Sequence, residues 1–137
     1  VFILKKKNYI IRNIFAIIAL IILVMSVVLL KSQSDLKKLT TIEIQDVDLS
    51  KIENGFYEGK YKSFPISVKV QVTVNNHVID DIKILKHING QGGAAEKITE
   101  NIIKSQSLEV DAITGATYSS KVIVKAVEDA LKAGTSN

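Results

Sequence analysis

The residues best able to do chemistry stand together in Asp111-Ala112-Ile113-Thr114-Gly115-Ala116-Thr117-Tyr118-Ser119-Ser120, directly ahead of a segment with helical periodicity. Hydroxyls and free backbone N–H groups at a helix start favour an anion, because unpaired donors and the positive end of the helix dipole act together. Phosphate is the commonest biological anion held this way. Gly115 and Ala116 would let a bulky group approach the backbone closely. The same residues also make an ordinary helix beginning, with Thr117, Ser119 or Ser120 as N-cap and Gly115 as a turn residue. A Thr or Ser hydroxyl is a weak nucleophile near neutral pH and needs a base or a metal to activate it. The chain offers little toward either. Zero Cys excludes thiolate zinc sites, iron–sulfur clusters and a Cys nucleophile. His77 and His87 are too few for a histidine-rich metal site, and no carboxylate cluster has metal-binding spacing. The expectation is a chain with no catalytic residue and no metal set of its own, whose chemistry is brought by an imported group.

The elements that must position this segment follow from periodicity. Ile66, Val68, Val70, Val72 and Val74 alternate with Ser67, Lys69, Gln71 and Thr73, the pattern of a half-buried strand. Gly55 to Ser63 reads as a shorter strand before it, and 77–87 as the returning partner after a turn at Asn75-Asn76. Beyond Gly90-Gln91-Gly92-Gly93, Ile98, Ile102 and Ile103 share a helical face. In the last segment Ile123, Val127 and Leu131 form a stripe beside Val122, Ala126 and Ala130, with Gly134 as a stop. Strands first and helices later predict an α+β domain: an antiparallel sheet with two packed helices.

Ahead of that domain lies Ile14–Leu30, 17 residues with Ser26 as the sole hydroxyl and no charge, near the lower limit for a helix crossing a bilayer. Lys5, Lys6, Lys7 and Arg12 precede it and Lys31 follows, which predicts a cytoplasmic N-terminus and a domain outside the cell membrane. A cleaved secretory leader shares this order, with Ser32-Gln33-Ser34 as a small-x-small site. The reading is a basic tail and single transmembrane anchor over 1–31, a polar linker over 32–49 and a folded domain over 50–137. The chain has 137 residues and a net charge of +4. Residues 1–38 carry seven Lys/Arg against Asp35 alone, leaving eleven basic against thirteen acidic side chains in the rest. The basic excess thus belongs to the anchor, where membrane lipid is the partner, and the interspersed charges of the domain give no footprint for nucleic acid.

Asp111-x-x-Thr114-Gly115-Ala116-Thr117-x-x-Ser120 resembles the flavinylation motif of the FMN-binding domain family. Three other segments resemble family features: Asn54-Gly55-Phe56-Tyr57-Glu58-Gly59 the opening Asp-Gly-x-Tyr-x-Gly, Gln106-Ser107-Leu108-x-Val110-Asp111 the lead into the site, and Lys86-His87-x-Asn89-Gly90-Gln91-Gly92 a glycine turn. Asn54 stands where Asp is usual, and Thr114 replaces the commoner Ser. The resemblance implies FMN joined through its phosphate to Thr117, with Asp111, Thr114, Gly115, Ala116, Tyr118 and Ser120 shaping the site. It also implies a separate magnesium-dependent flavin transferase that uses FAD as donor. Function then follows as electron transfer by a membrane-anchored carrier between a membrane donor and an extracytoplasmic acceptor. Tyr57, Tyr61, Phe64 and Tyr118 are candidate neighbours of the flavin ring. A non-redox ligand-binding or sensory module, or an accessory subunit without flavin, is the alternative that the helix-cap reading of the loop leaves open.

Overall fold

The computed structural model of the protein describes residues 1–88 and 93–135, in two compact units, Val1–Ser34 and Asp35–Asn137. The glycine turn expected at Asn89–Gly92 lies outside the described residues. Helix α1 spans Phe2–Thr41, longer than the apolar run alone, because neither Gly nor Pro occurs before Gly55 and Lys, Gln, Ser and Leu all continue a helix. Its portion Asn8–Thr41 is long and apolar enough to cross a membrane. The helix ends where β-branched Thr40, Thr41 and Ile42 follow one another and the two Thr hydroxyls donate back to the carbonyls of Lys37 (2.7 Å) and Lys38 (3.0 Å).

The second unit holds a three-stranded antiparallel sheet in the order β1 (Gly55–Ser63), β2 (Ile66–Asn75), β3 (Val78–Ile88), followed by α2 (Ile98–Ser105) and α3 (Thr117–Thr135). This is the expected α+β arrangement, with the alternating valines of β2 all buried. The hairpin turn is one residue later than expected. Asn76 (φ 50°) and His77 (φ 62°) are its central pair, and two positive φ angles in a two-residue loop match the twist of the flanking strands. The strained pair is held from outside: Asn76 N–H donates to Asn54 Oδ1 at 2.7 Å, and His77 Nδ1 donates to the Ile52 carbonyl at 3.0 Å. Asn54 serves as an acceptor oxygen here, which Asp would supply equally well.

α3 covers the inner face of the sheet with Val122, Ile123, Ala126, Val127, Ala130 and Leu131, all fully buried. Gly59 lets it come close. A Cβ there would stand 2.1 Å from the Ala126 carbonyl oxygen and 2.4 Å from the Ala130 nitrogen, so helix backbone rests directly on strand backbone. Gly134 is part of α3 rather than its stop, and its bare Cα faces Ile52 and the ring of Tyr57. Gly59→Ala is expected to lower stability by about 3 kcal/mol or to prevent folding, because the obstacle is backbone that cannot rotate away. Gly134→Ala, opposed by side chains, is expected to cost less, and urea unfolding followed by tyrosine fluorescence orders the two.

Candidate functional site

The candidate loop is fastened at its start by two side chains. Gln106 ends α2 in the left-handed conformation (φ 53°), and its amide accepts from Ile79 N–H (2.7 Å) and donates to the Ile79 and Ile103 carbonyls (2.9 and 2.7 Å). It thereby pairs the edge of β3 as a strand residue would. Asp46 accepts from Ser107 Oγ (2.6 Å) and Leu108 N–H (3.0 Å). Burial works against the Asp46 carboxylate, but these donors and the Val47 N–H overcome it and hold its pKa below the ordinary range.

From there the chain, which bends where Val110 N–H donates to the Leu108 carbonyl at 2.9 Å, reaches a tight turn over Ile113–Ala116, closed by Ala116 N–H to the Ile113 carbonyl at 2.9 Å. Gly115 has φ +79°, the third-position requirement of a type II turn. No atom lies within 4 Å of where its Cβ would be, so the glycine is needed for conformation and the space above it is open. Ala116 turns its methyl into the core, while Asp111, Thr114 and Gly115 are exposed.

Ser120 is neither exposed nor an N-cap. Fully buried inside the first turn of α3, it accepts from the Ile113 N–H at 3.0 Å and so ties the loop to the helix that follows. The first helical bond runs from Ser120 N–H to the Ala116 carbonyl (2.9 Å), which leaves the amides of residues 117–119 ahead of the intrahelical ladder. No acidic residue sits in that turn. Thr117 and Tyr118 are exposed there, Tyr118 by 41%. Among the described residues, neither the Thr117 hydroxyl nor the Asp111 carboxylate takes part in a protein hydrogen bond. The structure thus gathers Thr114, Gly115, Thr117 and Tyr118 on one open turn, with Ala116 and Ser120 as its buried supports and Asp111 at its approach.

Of the other aromatic candidates, Phe64 is exposed at the β1–β2 turn, and Tyr57 and Tyr61 are engaged in packing. Tyr57 bonds the Glu53 carbonyl at 2.9 Å and lies against Gly134, at the far end of α3, and Tyr61 packs on the core. His77 holds the hairpin, and His87 meets Glu96 at 2.8 Å. Among the described residues no three His, Cys, Asp or Glu side chains gather as a metal site.

A second set of contacts, unsignalled in the sequence, fixes α3 along its length. Lys121, one turn beyond Thr117, donates to the Thr40 carbonyl at the end of α1 (3.1 Å), and Lys125 to the Glu43 carbonyl (3.4 Å). Lys132 donates to Gln45 Oε1 (3.0 Å). The contacts run in step along the two segments, Thr40 with Lys121, Glu43 with Lys125 and Gln45 with Lys132, so Thr40–Gln45 lies as a strap beside α3. Glu128, only 1% exposed, sits under the strap between Lys125 (2.7 Å) and Lys132 (2.5 Å) and accepts from Gln45 N–H. Burial would raise its pKa, yet the two lysines and the strap amide lower it.

The fold and site define a small α+β domain that presents a hydroxyl and open backbone amides at the start of its longest packed helix. Residues 62–132, which include β2, β3, α2, the loop and most of α3, match the sequence model of the FMN-binding domain. The chain belongs to the FMN-binding domain family. It is also similar to an uncharacterized protein of Treponema pallidum (strain Nichols), 26% identical over 86 residues. That alignment covers 61% of this chain and 24% of the relative, so the chain spans about a quarter of the relative's length.

Because the folded pKa of Glu128 is depressed, its contribution to stability is complete above the ordinary glutamate range, about pH 4.5, and is lost as pH falls through the folded value. Glu128→Gln is expected to cost about 1–3 kcal/mol at pH 7 and to flatten the loss of stability below that range, measured by urea unfolding across pH.

Proposed function

We propose that this protein is a membrane-anchored flavoprotein that carries FMN as a phosphoester on Thr117 and acts in electron transfer outside the cytoplasm. The observation that carries this reading is the exposed Thr117 hydroxyl on the first turn of α3, beside the open Gly115 turn and inside the family match. The amides of 117–119 and the positive end of a 19-residue helix suit a phosphate joined there. Tyr118 is the aromatic group nearest in sequence to the attachment point. Bound FMN supplies one- and two-electron chemistry; the chain supplies position.

Attachment needs a partner, since among the described residues no side chain bonds the Thr117 hydroxyl to activate it. A flavin transferase supplies one: the Thr117 oxygen forms the new bond to the FMN phosphorus of FAD, the pyrophosphate bond breaks, AMP leaves, and the hydroxyl proton passes to the transferase. Asp111, exposed at the approach to the turn, is a recognition group for that enzyme. The anchor reading rests on α1, with the basic residues before its apolar run favouring a cytoplasmic N-terminus. A covalent bond suits that placement because a dissociable flavin would be diluted away. Electrons pass from a membrane donor to an extracytoplasmic acceptor.

Thr117→Val is expected to abolish the flavin-fluorescent band on a denaturing gel when the chain is co-expressed with a flavin transferase. In the unsubstituted chain, intact mass and peptide mapping are expected to place one FMN on Thr117. An unmodified mass beside a modified control acceptor would return Thr117 to an ordinary helix residue.

A further inference from the structure

The face of the sheet turned away from α3 has a charge arrangement that stability does not explain. The strand register sets its rungs as Lys62–Ser67–Ile88, Lys60–Lys69–Lys86, Glu58–Gln71–Lys83 and Phe56–Thr73–Asp81. Three lysines therefore stand directly opposite one another across all three strands, where like charges repel. Lys69 is paired with Glu58 at 2.7 Å, and Lys83 approaches Asp81 at 4.0 Å. Among the described residues Lys60, Lys62 and Lys86 have no acidic partner. Five lysines against Glu58, Asp81 and Asp80, which is exposed at the bulge beside Asp81, make this one face +2, although residues 39–137 as a whole carry −2. The positive charge has been collected on one side.

Two further observations select a partner. Exposed Phe56 stands with Asp81 at one end of the face; at the other, exposed Ile88 shares the rung of Lys62 and exposed Phe64 follows at the β1–β2 turn, so apolar side chains border the lysines there. That end is where the chain arrives from α1, because Ser63 Oγ donates to the Asp35 carbonyl at 3.1 Å. Asp35 follows Leu30, the last residue of the apolar run, by only five positions in the sequence. Lysines bordered by apolar side chains are the composition of a surface that rests on anionic lipid headgroups.

We propose that the open face of the β-sheet, through Lys60, Lys62, Lys69 and Lys86 with Phe64 and Ile88, binds the anionic phospholipid surface beside the protein's own anchor. This rests on the anchor reading above and is independent of flavin attachment. A lysine near an anionic bilayer strengthens association roughly fivefold, so the three without acidic partners together give about a hundredfold.

The test uses the full chain in bilayer discs of phosphatidylcholine, with or without about one-third phosphatidylglycerol, and maps lysine acetylation by peptide mass spectrometry. Lys60, Lys62, Lys69 and Lys86 are expected to react about five- to tenfold more slowly on anionic discs and to recover in high salt. Lys51, Lys97 and Lys104, exposed on other parts of the unit, are expected to react alike on both discs. Lys60→Glu combined with Lys86→Glu is expected to remove the protection of Lys62 and Lys69, whereas Lys97→Glu leaves it. Equal reactivity on the two discs, protection that resists salt, or protection that requires an added acidic protein would each overturn the proposal. Alkaline carbonate extraction reports the anchor separately: release by carbonate overturns the anchor reading and this proposal with it, whereas equal reactivity on the two discs by a chain that resists carbonate overturns this proposal alone.

Discussion

The contact on which the structure depends is backbone against backbone, where α3 lies on Gly59 of β1. With no side chain between them, the Ala126 carbonyl and the Ala130 amide approach the strand closely. The valines of β2 then meet the stripe of α3 without a gap. The edge of β1 is closed by the same helix, because Lys60 N–H donates to Asp129 at 2.9 Å. Since α3 carries Thr117 at its first position, this crossing point sets where the hydroxyl emerges. Gly134, against Tyr57 and Ile52 at the other end, keeps the helix from tilting about that point.

A helix held only by its apolar stripe could still turn about its axis. The strap prevents this from outside, with Lys121, Lys125 and Lys132 each engaging the segment that leaves α1. Glu128 lies beneath them as a buried anion between two cations, an arrangement that destabilises when broken and is only modestly favourable when whole. What it contributes is registry: the strap can sit on α3 in one place. A polar stretch that composition suggests is a free tether is thus part of the same compact unit from Asp35 onward.

The parts legible in the sequence are those set by local period. Alternation over Ile66–Val74 and the Ile123, Val127, Leu131 stripe report burial directly, because each residue's neighbours share its element. The parts that were not legible depend on distant partners. Gln45 meets Glu128 across 83 positions, and Asp46 reaches Leu108 across 62. The turn stands at Asn76-His77, one residue later than the sequence suggests, because His77 is held at positive φ by its bond to the distant Ile52 carbonyl. Ser120 looked like a cap because Ser at a helix start usually is one. Its hydroxyl instead serves the Ile113 amide, a role visible only once the turn brings that amide over the helix. In the site itself, residue types and order located the open turn, while its two fastenings at Gln106 and Asp46 carried no local signal.

These fastenings bear on what a group on Thr117 could do. The turn is bounded on one side by Ser120 inside α3 and on the other by a loop bonded to β3 and to the strap, so the attachment point has little freedom of its own. Its neighbours Thr114, Gly115 and Tyr118 are nevertheless exposed, so freedom begins at the hydroxyl. Lys121 joins the turn after Thr117 to the last turn of α1, which puts the attachment point at the end of the unit where the chain arrives. A redox group linked there would swing from a fixed base. Its reach would be set by the length of the group and by the orientation of the unit, with the flexibility of the loop contributing little.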